Sequence, residues 1–157
     1  MKILDSSGVI NLRGRELEGE FLTVREVEKE LRDIQSRLKF AAAVEARQIK
    51  FAEPSKASEK KVHAEAERAG CLALLSDSDL KVLSLAYETG LSLVTDDYDI
   101  QNMCSILGIK FERVSMKGIQ KALKWKSRCT ACGKVCPSAV SECSTCGSQK
   151  FSIEKKI

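Results

Sequence analysis

Leu91-Ser92-Leu93-Val94-Thr95-Asp96-Asp97-Tyr98-Asp99 decides how this chain folds. A short apolar run of strand character passes straight into three acids, then into a helix-length segment that lasts to about Leu107, where Gly108 stops it. The chain opens in the same way. Ile3-Leu4-Asp5-Ser6-Ser7-Gly8-Val9-Ile10 is an apolar run that meets an acid and small polar residues, as a buried strand running into a turn does.

Between these two stretches the pattern repeats. Phe21-Leu22-Thr23-Val24 reads as a second strand, with Thr23 placed to cap the next helix, in which Val24, Val27, Leu31 and Ile34 form one apolar stripe. A helical pair continues to about Gln48. Ile49-Lys50-Phe51-Ala52 is a third strand, followed by a charged helix through Arg68 that Gly70 stops. Ser76-Asp77-Ser78-Asp79 resembles a capping box before the apolar positions Leu80, Val82, Leu83, Ala86 and Tyr87, and Gly90 closes that helix. Ile109 to Val114 is the last strand. Strands separated by helices rather than hairpins predict an α/β fold, a mainly parallel sheet with helices on both faces. Ligands of such sheets gather outside the carboxyl ends of the strands, which is where Asp5, Asp96 and Asp97 fall.

The chain of 157 residues is too short for a multi-domain enzyme, and 43% hydrophobic content with 2 prolines excludes a disordered or fibrous chain. Apolar runs of a few residues predict no membrane span, and Met1-Lys2-Ile3-Leu4-Asp5 meets an acid too soon for a signal peptide. An intracellular, cytoplasmic location is expected. Charge is unevenly placed: residues 1–118 carry 18 Lys and Arg against 20 Asp and Glu, whereas residues 119–157 carry 8 against 2. A near-neutral body with a basic tail predicts chemistry in one part and polyanion binding in the other.

Singly, each acid has an ordinary explanation. Asp77 and Asp79, or Asp96, Asp97 and Asp99, stabilise helix N-termini, and glutamates on the helix from Val24 are surface residues. Asp5 is harder to place, because a carboxylate directly after an apolar run must reach a wet edge or a partner. If the acids converge, their repulsion calls for a cation, and an all-oxygen site without histidine suits Mg²⁺ or Mn²⁺. His63 sits in the charged helix, remote from the acids in sequence, and is read as a solvent-facing residue.

Four stretches, Ile3–Ser7, Thr23–Asp33, Leu75–Ala86 and Val94–Asp97, taken in this order, resemble the PIN-domain ribonucleases. Asp97-Tyr98-Asp99-Ile100-Gln101-Asn102 is similar to the fourth acidic motif of members that carry a zinc ribbon and mature the 3′ end of small-subunit rRNA. The resemblance implies a PIN-like αβα sandwich, a nuclease domain over 1–118, and catalytic roles for Asp5, Glu30, Asp79 and Asp97. It alone selects Glu30 over Glu28, since both flank the apolar stripe at similar angles. Asp96 and Asp77 follow as auxiliary acids, with Thr95 orienting a ligand through its hydroxyl. Where relatives often carry an acid after the glycine that precedes the third motif, this chain has Cys71, read here as a buried thiol outside the site. The implied reaction is in-line attack by an activated water on a phosphodiester, leaving a 5′-phosphate and a 3′-hydroxyl.

Five of the seven cysteines lie between Cys129 and Cys146. Cys129-Thr130-Ala131-Cys132-Gly133 and Cys143-Ser144-Thr145-Cys146-Gly147 are two CxxCG copies, the pattern of a closed four-thiolate zinc site. A closed site leaves no position for substrate, so this Zn²⁺ is structural. Cys136, followed by Pro137, falls outside the frame and is read as a bystander. The ribbon is assigned to 129–157 and a basic connector to 119–128. Lys117, Lys121, Lys124 and Arg128 align on one face if the connector is helical, and together with Lys126 they are the candidate RNA contacts. Trp125 has two readings, stacking on a base or packing between the modules.

The leading expectation is an endoribonuclease acting on precursor small-subunit rRNA within a pre-ribosomal particle, with neither an organic cofactor nor a membrane. Two rivals stand beside it: a non-catalytic RNA-binding assembly factor, and a general or toxin-like PIN ribonuclease.

Overall fold

The computed structural model describes residues 1–11, 19–114, 124–137 and 140–156. Five short strands form an all-parallel sheet in the order β3-β2-β1-β4-β5. They are β1 (Lys2–Leu4), β2 (Phe21–Thr23), β3 (Ile49–Phe51), β4 (Leu93–Val94) and β5 (Phe111–Glu112). The register sets Ile3 beside both Leu22 and Leu93, so β1 is central and its end, Asp5, lies next to the end of β4. Every crossover contains helix: α1 (Ser6–Ile10), α2 (Arg25–Glu30), α3 (Ile34–Glu45), α4 (Lys56–Ala69), α5 (Asp77–Thr89) and α6 (Tyr98–Leu107). One core joins them, with Ile3, Leu4, Val24, Val27, Val62, Leu83 and Leu93 fully buried. The α/β sandwich read from the sequence is the observed architecture.

Local chemistry explains the boundaries. Ser76 and Asp79 form a reciprocal capping box at the start of α5: the Asp79 N–H donates to Ser76 Oγ (3.1 Å) and the Ser76 N–H to Asp79 Oδ2 (2.7 Å). Gly70, Gly90 and Gly108 end α4, α5 and α6 in the left-handed conformation. Gly8 is required by space. A Cβ there would meet the Val94 carbonyl oxygen at 2.9 Å, which is how closely α1 crosses the sheet.

Three sequence expectations are corrected. The run after Asp5 is helix α1, with Asp5 as its N-cap, rather than strand entering a turn. Thr23 does not cap α2. It ends β2, and its buried hydroxyl donates to the Leu4 carbonyl at 2.7 Å, while Val24 is the N-cap. The stripe from Val24 breaks before Ile34: Leu31 is extended, and Asp33 starts α3 by accepting the Ser36 N–H at 2.8 Å. Val24, Val27 and Leu31 stay in the core, but the restart turns Ile34 outward to 75% exposure. Together with Leu38 it walls a groove of about 640 Å³ between α2 and α3.

The second sheet is antiparallel, ordered β7-β6-β8, with β6 (Lys124–Cys129), β7 (Val135–Pro137) and β8 (Phe151–Lys156). Residues 124–128, read as a helical connector, are therefore strand. A helical stripe through Lys124 and Arg128 does not form. Lys126 and Arg128, two residues apart, share one face of β6 instead, and both are exposed. Lys117 and Lys121 lie outside the described residues. No helix among the described residues is long and apolar enough to cross a membrane.

Candidate active site and zinc ribbon

The site begins with the end of β1. Asp5, only 1% exposed, N-caps α1, and its Oδ2 accepts three donors: the Ser7 N–H (3.2 Å), the Ser7 hydroxyl (2.6 Å) and the Thr95 hydroxyl (2.9 Å). Burial pushes the Asp5 carboxyl above its usual range, against the pull of those donors. Both hydroxyls are also acceptors. Ser7 Oγ takes the Asp96 N–H at 2.9 Å, and Thr95 Oγ1 takes the Asp97 N–H at 3.1 Å. Each hydroxyl proton is thereby directed at Asp5, and the Thr95 hydroxyl orients that carboxylate.

Two helices bring further acids to this carboxylate. Glu30 ends α2, and its Oε1 accepts the Ser76 hydroxyl at 3.1 Å. Asp79, the third residue of α5, is held by the capping box with that same serine. Ligand oxygens of Asp5, Glu30 and Asp79 all lie within 4.8 Å of one another. Desolvation, together with the nearby charges of Asp5 and Glu30, pushes the Asp79 carboxyl up to about 6. Three oxygen ligands whose charged forms oppose one another fit a divalent cation. Glu28, which helix angle alone could not exclude, faces the α2–α3 groove instead.

The remaining acids are placed elsewhere. Asp97 stands exposed at the N-terminus of α6, its Oδ1 accepting the N–H groups of Asp99 (2.7 Å) and Ile100 (3.2 Å), outside the cluster of three. Asp96 is buried and its Oδ1 accepts the Val114 N–H at 2.9 Å. Asp77 is 80% exposed and points toward Lys81 at 3.9 Å; that lysine is paired more closely, at 2.6 Å, with Glu26. Sequence reasoning missed Ser7, Ser76, Glu26 and Lys81. The serines had a local signal, each lying within three residues of a selected acid, whereas the Glu26–Lys81 pair joins two helices and had none. His63 is exposed on α4, and Cys71 is a buried thiol whose Sγ lies 3.1 Å from Met103 Sδ.

Residues 3–89 match the family model described as the PIN domain of ribonuclease. The chain belongs to the PIN-domain ribonucleases. Its similarity to curated relatives covers nearly the whole chain. It is 37% identical over 150 residues to endoribonuclease Nob1 of Pyrococcus abyssi, covering 93% of this chain and 89% of the relative. Against endoribonuclease Nob1 of Methanothermobacter thermautotrophicus it is 37% identical over 155 residues, 94% and 90% of the two chains. Ribonuclease VapC1 of Thermoplasma acidophilum is 35% identical over 145 residues, 92% of this chain and 74% of that protein.

The ribbon cysteines have the geometry their spacing promised. Cys129 and Cys146 Sγ atoms are 3.5 Å apart, those of Cys132 and Cys143 are 3.6 Å apart, and all four lie within 4.8 Å of one another. A tetrahedron with zinc–sulfur bonds of about 2.3 Å has an edge of about 3.8 Å, so the four thiols fit Zn²⁺. Gly133 and Gly147, which follow the second cysteine of each pair, both have positive φ. Cys136 lies outside this group, on β7, with its Sγ 3.9 Å from the Lys134 carbonyl, yet it is buried beside Cys129 and Cys143. It packs the ribbon's small core. Arg128 donates to the Gly133 carbonyl at 2.8 Å, so this candidate RNA contact also braces the first CxxCG turn.

Proposed function

We propose that this PIN ribonuclease is a metal-dependent endonuclease that cleaves precursor small-subunit rRNA at its 3′ end, within a pre-ribosomal particle. The observation that carries the reading is the convergence of Asp5, Glu30 and Asp79, from three separate elements, within 4.8 Å. The similarity of nearly the whole chain to endoribonucleases named Nob1, ribbon included, supports the ribosomal substrate.

In this reading Asp5, Glu30 and Asp79 hold Mn²⁺ or Mg²⁺, with Asp97 as the fourth acid at the same sheet edge. A cation bound there supplies an activated water and neutralises charge on the leaving oxygen. Thr95 and Ser7 fix the direction of the Asp5 carboxylate, and the Ser76 hydroxyl fixes Glu30. The ribbon's zinc is structural, and the exposed face of β6 carrying Lys126 and Arg128 holds the RNA backbone. We assign the nuclease body to residues 1–118, and the ribbon sheet starts at Lys124.

The test is to map cuts in an RNA spanning the small-subunit 3′ end with pure protein and Mn²⁺. One cut, lost in Asp5→Asn and Asp97→Asn variants that still fold, is the expected result; undiminished cleavage by both variants would sink the assignment. The similarity to VapC1 favours a second reading, a general ribonuclease, which scattered cuts would establish. A non-catalytic assembly factor would show no Mn²⁺-linked stabilisation.

A further inference from the structure

Asp96 is 3% exposed at the very edge where the acids gather, yet it lies outside the group of three whose ligand oxygens approach within 4.8 Å. Its Oδ1 accepts the Val114 N–H at 2.9 Å, its own N–H donates to Ser7 Oγ at 2.9 Å, and Ser7 Oγ donates to Asp5 Oδ2 at 2.6 Å. One unbroken line of hydrogen bonds therefore runs from Val114, where the chain leaves β5 and the parallel sheet, through Asp96 and Ser7 to Asp5.

We propose that Asp96 is a positioning residue for Asp5, acting through Ser7, and not a metal ligand. The chemistry of one hydroxyl carries the argument. Ser7 Oγ has a single proton and lies within reach of two acceptors, Asp5 Oδ2 at 2.6 Å and Thr95 Oγ1 at 3.1 Å. Asp5 Oδ2 is the nearer acceptor, Thr95 Oγ1 already accepts the Asp97 N–H, and the Asp96 N–H occupies a lone pair of Ser7 Oγ, so the Ser7 proton goes to Asp5. The direction holds only while the Asp96 peptide is fixed. Its carboxylate fixes it by gripping Val114, just past the end of β5. No Asp96 oxygen belongs to the group of acids whose ligand atoms lie within 4.8 Å of one another, and Oδ1 serves a backbone N–H, a task that needs an acceptor and no charge. Asparagine at position 96 keeps that acceptor, and alanine removes it.

The proposal rests on the reading of Asp5 as a metal-holding acid, and the experiment separates the two. Mn²⁺ binding, followed by the electron paramagnetic resonance signal of the free ion, and the kcat and KM of Mn²⁺-dependent RNA cleavage are measured on the full chain. The variants are Asp5→Asn, Asp96→Asn, Asp96→Ala and Ser7→Ala. The expected result is that Asp96→Asn behaves like wild type, while Asp96→Ala and Ser7→Ala each weaken Mn²⁺ binding about ten- to a hundredfold and lower kcat at unchanged KM. The Ser7→Ala Asp96→Ala double variant loses no more than either single variant, because both cut the same line. Should Asp96→Ala fail to fold, Ser7→Ala and Asp96→Asn still decide the matter. An Asp96→Asn variant as damaged as Asp5→Asn makes Asp96 a ligand and overturns the proposal. Unchanged binding and kcat in Ser7→Ala overturn it as well. Wild-type binding and cleavage in Asp5→Asn sink the reading of the site itself, and the positioning role with it.

Discussion

The Thr95 hydroxyl donates to Asp5 Oδ2 across 2.9 Å, joining the end of β4 to the end of β1 between two residues that solvent scarcely reaches. Thr95→Val keeps the shape and removes the donor. A buried carboxylate that loses one of its donors becomes harder to ionise, so the Asp5 carboxyl is expected to rise further. The loss should cost about 1–3 kcal/mol at neutral pH. Urea unfolding at pH 7 measures it, and the deficit is expected to shrink in acid, where Asp5 is protonated.

Asp79 sets a pH dependence of the metal-free protein. Its carboxyl stands at about 6 in the fold against an ordinary value of 3.8. The native state therefore holds a proton that the unfolded chain has released between those values. That contribution to stability is complete below about 4 and is lost as pH rises through about 6. Mn²⁺ works in the opposite direction, since it binds the ionised carboxylates. Melting curves with and without Mn²⁺ are expected to separate as pH climbs from 5 to 7, and curves that stay parallel would refute the coupling.

Cys136 packs beside Cys129 and Cys143, outside the group of four. Zinc content measured on purified Cys136→Ser protein is expected to stay at one equivalent, whereas Cys143→Ser loses the metal together with the strand pairing of β6, β7 and β8. A core this small depends on its metal. Loss of zinc from Cys136→Ser would show that the fifth cysteine takes a coordination position.

Lys126 reports on the RNA grip more cleanly than Arg128, whose guanidinium also holds the Gly133 carbonyl. Lys126→Ala is expected to weaken RNA binding evenly across sequences and to lower the salt slope of the affinity by about 1, with the zinc content unchanged. Filter binding over a salt series measures that slope.

Alternating short apolar runs and helix-length segments determined the parallel sheet, and glycines after α4, α5 and α6 marked those ends, because such signals are local and periodic. Two CxxCG copies determined the four-cysteine cluster for the same reason: each pair is set by one tight turn. The choice of Glu30 over Glu28 was not local. Both flank the same stripe, and only the contact of α2 with α5, through the Ser76 hydroxyl, turns Glu30 inward. The break at Leu31 to Asp33 and the outward turn of Ile34 were equally hidden, since an Asx cap competes with a continuing helix and three-dimensional packing decides between them. So it was with Asp96 and Asp97. They are adjacent in sequence, and only the approach of β5 and the pitch of α6 give one to Val114 and leave the other at the rim.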